Sequence, residues 1–197
     1  FSNSIGDFDI GLSGFYGTAR GPILIINSNG TATPYYPEYK ALGFDIQYTG
    51  DRTLYKAEFA NGKQDESNVI AYVAGFESTL YSIAGSSWDI GIIGELQYDN
   101  RKQAAAKKFN TGGVRLAANN ASDTTLLVLY SLDGSGNQSN YSAQFSHRLN
   151  NGLKVEAEYT EFYSSKIDLP FFNLIDDTYF QLSIGYYFWE LSFECCF

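Results

Sequence analysis

The sequence has no methionine, two cysteines, one histidine and four prolines in 197 residues. Without methionine, Phe1 is not a translation start. The chain is therefore expected to be a mature or trimmed product whose signal peptide is already gone. Cys195 and Cys196 are adjacent, which excludes a disulfide framework and a four-ligand metal site. With His147 as the lone imidazole, no metal and no cofactor is expected. Positive charge is scarce as well. Thirteen Lys and Arg face 22 Asp and Glu, and a net charge of −9 argues against a nucleic-acid binder, which carries a basic face. No window reaches about 18 consecutive apolar residues, so a transmembrane helix is excluded. A transmembrane β-barrel is not, because its strands are short and alternate.

What the chain has in abundance is aromatic rings, 16 Tyr, 15 Phe and 2 Trp, set in a period-two pattern. Ten strands are predicted, at residues 6–18, 41–49, 52–61, 68–81, 87–99, 111–119, 123–133, 139–149, 152–164 and 177–188. The fifth shows the pattern well. Trp88, Ile90, Ile92, Leu96 and Tyr98 alternate with Asp89, Gly91, Ile93, Glu95, Gln97 and Asp99. One apolar and one polar face per strand also fits a soluble β-sandwich or a lipocalin-like barrel.

Three features favour a membrane barrel. After the even-numbered strands the links are short, at 50–51, 83–86, 119–122 and 150–152. After the odd-numbered strands they are longer, at 19–40, 62–67, 100–110, 134–138 and 165–176. Short turns at one end and long loops at the other are the habit of outer-membrane barrels. Many aromatics also sit near the ends of the apolar stripes, where a ring is half dry and half wet. Tyr16, Tyr48, Trp88, Tyr98, Tyr186 and Phe188 are expected at the lipid interface. Finally, residues 180–188 (FQLSIGYYF) alternate and close on an aromatic. This resembles the C-terminal strand signature of bacterial outer-membrane β-barrel proteins, although nine residues follow Phe188 here.

Residues 74–101, 113–133 and 146–163 are similar to a group of uncharacterised, porin-like proteobacterial outer-membrane barrels. The resemblance implies fold and location in the outer membrane of a Gram-negative bacterium, and no activity. Members are often longer, with more strands before the equivalent of Phe1, so this chain fits the C-terminal part of a larger barrel. The expected organisation is an antiparallel up-and-down transmembrane β-barrel of about ten strands over residues 1–188, with a tail at 189–197. Short turns would be periplasmic and long loops extracellular.

The face opposite the apolar stripes would line the lumen. It carries Asp45, Lys56, Glu58, Glu77, Glu95, Arg115, Arg148, Glu156 and Glu158, with acids in excess. Two readings stay open. An acidic, water-filled path would favour cations. Alternatively, Glu58, Glu77 and Glu95 would pair with Arg115, Arg148 and Lys56 across a narrow lumen and plug it. The first makes the protein a passive, porin-like channel for small cations. The second makes it a closed barrel that acts through its loops or as a subunit of an envelope complex. Loop 101–109, with Arg101, Lys102, Lys107 and Lys108, would grip lipopolysaccharide phosphates or simply be solvated. Partners are membrane lipid and lipopolysaccharide, an envelope protein or a second copy. In loop 165–176, Leu169 to Phe172 form an apolar tip expected to pack on loop 19–40, with contact to another protein or a lid over the pore as the alternatives. His147 sits beside the 150–152 turn without a His-x-Ser pair, so an enzyme is not expected.

Overall fold

A computed structural model describes residues 1–101, 104 and 106–188. Eleven strands form a single antiparallel meander: β1 (Ser2–Ile5), β2 (Phe8–Thr18), β5 (Glu38–Thr49), β6 (Thr53–Gln64), β7 (Ser67–Leu80), β8 (Trp88–Asp99), β9 (Lys108–Ala118), β10 (Thr125–Asp133), β11 (Gln138–Asn150), β12 (Leu153–Ser164) and β13 (Tyr179–Tyr186). The other two strands, β3 (Ile23–Ile26) and β4 (Ala32–Tyr35), make a separate hairpin. Short 3-10 turns lie at Ile83–Gly85 and Pro170–Asp177.

The ten predicted strands correspond to β2 and β5 to β13. Four points differ from expectation. First, β1 is an additional strand, turned back onto β2 at Gly6, whose φ of 59° suits a residue without a Cβ. Second, segment 19–40 is a loop that carries a hairpin of its own. Its Ile23–Ile26 run pairs with β4, and Pro34 is tolerated because it lies in a two-stranded ribbon, where every strand is an edge. Third, link 62–67 is a tight turn at Asp65 and Glu66, since β6 and β7 run on to Gln64 and Ser67. The loop end is therefore less uniformly long than expected. Fourth, β1 and β13 are the two sheet edges and do not pair with each other, so the described residues do not form the expected closed barrel.

The pairing register drifts steadily. Phe8, the first residue of β2, leads through Tyr48, Tyr55, Phe76, Gly94, Gly112, Tyr130 and Tyr141 to Glu161. β12 begins at Leu153, so the row climbs eight residues in eight strand-to-strand steps. One residue of rise per neighbouring strand gives a tilt of about 35°, the lower end of what barrel strands show.

Burial is the unusual property. Glycines aside, Ala19, Pro37, Val69 and Ala118 are the only buried apolar residues among those described, and the accessible surface is 13,717 Å². A folded monomer of 21.9 kDa exposes about 9,300 Å². Backbone pairing, not a side-chain core, holds the sheet in shape.

Candidate functional site

Directly paired residues in an antiparallel sheet share a face, so the register sorts every strand residue. One face collects Phe44, Tyr48, Phe59, Phe76, Ile92, Leu96, Val114, Val128, Phe145, Leu182 and Ile184. Most of these are exposed, Leu96 at 57% and Ile184 at 68%. Tyr16, Tyr48, Trp88, Tyr98 and Tyr186 are on this face as well, Tyr16 and Tyr98 near the loop end and the other three near the turn end. Phe188 lies two residues past β13 and is 76% exposed. On β8 the apolar stripe between Trp88 and Tyr98 is ten residues long, about 34 Å of strand, or about 28 Å of height at the tilt above. That matches the apolar band of about 25 Å on membrane barrels. His147 joins this face, where its Nδ1 is 2.8 Å from Thr124 Oγ1 and its ring stacks on Phe145.

The other face holds all nine residues read as lumen-lining: Asp45, Lys56, Glu58, Glu77, Glu95, Arg115, Arg148, Glu156 and Glu158. The sheet curls toward it. One hollow of about 520 Å³ is shared by Ser13 of β2 and Glu95 of β8, four strand spacings apart, or about 19 Å if the sheet were flat. A second, of about 490 Å³, is shared by Arg115 of β9 and Gln181 of β13.

Charge divides between the two halves. On β2 to β8 the curled face carries Asp9, Asp45, Glu58, Glu77, Glu95 and Asp99, with Lys56 the one base among the described strand residues. On β9 to β13 it carries Arg115, Arg148 and Lys154 against Glu156 and Glu158. Two more carboxylates of this face serve turns. Asp89 accepts from the Ser82 amide and Asn119, and Asp133 accepts from the Asn137 and Gln138 amides and the Ser135 hydroxyl.

The pairing expected across the lumen is mostly absent. Of Glu58, Glu77 and Glu95, only Glu77 finds one of the predicted bases. Arg115 reaches it at 2.5 Å across β8, over Gly91, whose missing side chain leaves the gap they bridge. Glu95 instead accepts from Gln97, and Lys154 binds Glu156 at 2.8 Å. Asp45 and Glu58 are directly opposite on β5 and β6, both exposed, with no ion pair or hydrogen bond among the described residues. Like charges facing each other this closely are unfavourable unless water or mobile cations screen them. The Asp45 carboxylate lies over Gly11, where a Cβ would sit 2.2 Å from Oδ1. That glycine makes room for the cluster.

At the loop end Arg101, expected to meet lipopolysaccharide or solvent, is taken up by Asp99 of its own chain. Arg101 grips Asp99 in a forked contact with Nε 2.9 Å and 3.0 Å from the two oxygens, and this hydrogen bonding raises the guanidinium pKa. Tyr35 on the hairpin donates to Asp65 at 3.1 Å, which raises its phenol pKa, and the Glu38 amide donates to the same oxygen. The tip of 165–176 does not pack on 19–40. Pro170–Asp177 folds inward, and the Phe171 ring lies 5.5 Å from both Phe109 of β9 and Phe162 of β12. Its amide donates to the buried Gln138 side chain at 3.0 Å. Phe109 and Phe162 are aromatics on the polar face, out of phase with the apolar stripes. That irregularity was the available signal that something packs there.

Lys102, Cys195, Cys196 and the tail from Trp189 lie outside the described residues. No group of His, Cys, Asp and Glu among the described residues could hold a metal ion. No family model, curated protein or solved structure matches the chain.

Proposed function

We propose that this chain forms the wall of a transmembrane β-barrel in a bacterial outer membrane and passes small cations along its curled, acidic face. The observation that carries the reading is the two-faced sheet without a core. Its apolar face is exposed across ten strands, and its polar face holds unneutralised carboxylates. A water-soluble sheet with that much exposed apolar surface would associate or aggregate. In lipid the same surface is satisfied. The tilt of about 35° and the apolar band of about 28 Å fit a bilayer. Backbone groups on the free edges at β1 and β13 need partner strands in lipid, so closure of the sheet belongs to the proposal. With the turns periplasmic, the hairpin and the 165–178 segment face outward, toward lipopolysaccharide.

Selectivity would come from Asp45 and Glu58, which face each other without a counter-charge. The experiment is single-channel conductance of the refolded chain in a planar bilayer under a salt gradient. Stable steps with a cation-selective reversal potential are expected, and Asp45→Asn with Glu58→Gln should move that potential toward zero. An inserted but silent chain would refute the channel. It would favour the second reading, a sealed barrel acting through its loops. The uncovered Leu24, Ile25 and Ile26 of the hairpin, 47% to 70% exposed, are the observation behind that reading.

A further inference from the structure

We infer that Pro170–Asp177 is a cap over the β9–β12 half of the curled face, held by Phe171, and that it confines the ion path to the acidic β2–β8 half. The inference rests on the channel reading for its consequence, but not for its geometry. The cap lies at the loop end of the strands whose lower parts line the mixed-charge hollow of Arg115, Gln144, Glu156 and Glu158. It packs against β12 and β11 and reaches β9 through Phe109. Three attachments hold Phe171: a ring contact to Phe109, an edge-on contact to Phe162, and the hydrogen bond its backbone N–H donates to Gln138 Oε1. Pro170 at the start of the turn presets the backbone that turns the ring inward.

Charge gives the cap its meaning. Beneath it Arg115 is taken by Glu77, and Arg148 and Lys154 offset Glu156 and Glu158, so an opening there would pass anions and cations with little preference. The half it leaves uncovered contains Asp45 and Glu58. Closing the neutral half while leaving the acidic half open makes the remaining path more selective than the whole lumen would be.

The test uses the full chain in vesicles, with Cys195 and Cys196 replaced by Ser, and single cysteines at Gln144→Cys beneath the cap and Glu58→Cys in the acidic half. A membrane-impermeant thiol reagent is added from the loop side. Each aromatic contact corresponds to a factor of about two to ten in an opening equilibrium. Phe171→Ala removes two, so Gln144→Cys should react about four to a hundredfold faster, with Glu58→Cys unchanged. In the bilayer the same substitution should raise conductance and reduce cation preference. Fast reaction of Gln144→Cys with Phe171 intact, or no change on its removal, would overturn the cap. A chain that never conducts but shows the labelling contrast would keep the cap and refute the channel. Phe171→Leu, which retains apolar bulk, should give an intermediate labelling rate and guards against misfolding of the alanine variant.

Discussion

Ile92→Arg is the sharpest perturbation, because its neighbour Ile93 provides a control at the same height. Ile92 lies on the apolar face of β8, four residues from Trp88 and six from Tyr98. At about 3.4 Å per residue and a tilt of about 35°, it lies about 11 Å above Trp88 in a band of about 28 Å, close to the midplane. An arginine at that depth on a lipid-facing strand costs about 2–4 kcal/mol. With a urea dependence of about 2 kcal/mol per molar, the unfolding midpoint in vesicles should fall by about 1–2 M, read by tryptophan fluorescence. Ile93→Arg points to the curled face, toward Glu77, and should shift the midpoint by less than about 0.5 M. If the sheet were instead a water-exposed surface, Ile92→Arg would change stability by no more than about 0.5 kcal/mol. Equal shifts for the two variants, or the larger one for Ile93→Arg, would refute the assignment of faces.

Two further outcomes follow from the backbone. Gly62→Ala would put a Cβ 1.9 Å from the Lys40 carbonyl oxygen, so β5 and β6 must separate. A loss of about 1–3 kcal/mol is expected in the same urea titration. Asp133→Ala leaves the Asn137 and Gln138 amides without their carboxylate. It should cost about 1–2 kcal/mol and speed hydrogen exchange in the 134–137 turn, while exchange at the 65–66 turn stays as it was.

The existence and facing of the long strands were legible in the sequence, because alternation of period two is a local property and the residues that obey it, such as 88–99, carry it in their order. The glycines misled. Gly62 reads as the start of a loop, yet it is a strand residue that lets the Lys40 carbonyl approach. Pro34 obscured the partner of Ile23–Ile26, since proline argues against a strand except at an edge. Stagger and pairing across the lumen were out of reach, because they depend on register. Only coordinates bring Arg115 to Glu77 over Gly91, and only they leave Asp45 opposite Glu58. Sequence sends the apolar tip at Phe171 to segment 19–40 because its actual partners, Phe109 and Phe162, are distant in sequence and lie on strands whose other residues on that face are mostly polar.

In the proposed barrel one face meets lipid and the other meets water. Single cysteines at Leu42, Ile92 and Leu182 on the apolar face, and at Gln47, Gln97 and Gln144 on the curled face, test this in vesicles, again with Cys195 and Cys196 replaced by Ser. The first three should be quenched by lipid-borne probes and resist a water-soluble thiol reagent. Gln47→Cys and Gln97→Cys should react with that reagent, and Gln144→Cys should do so once the cap is removed. Equal access of water to both faces, or lipid contact on the curled face, would contradict the account.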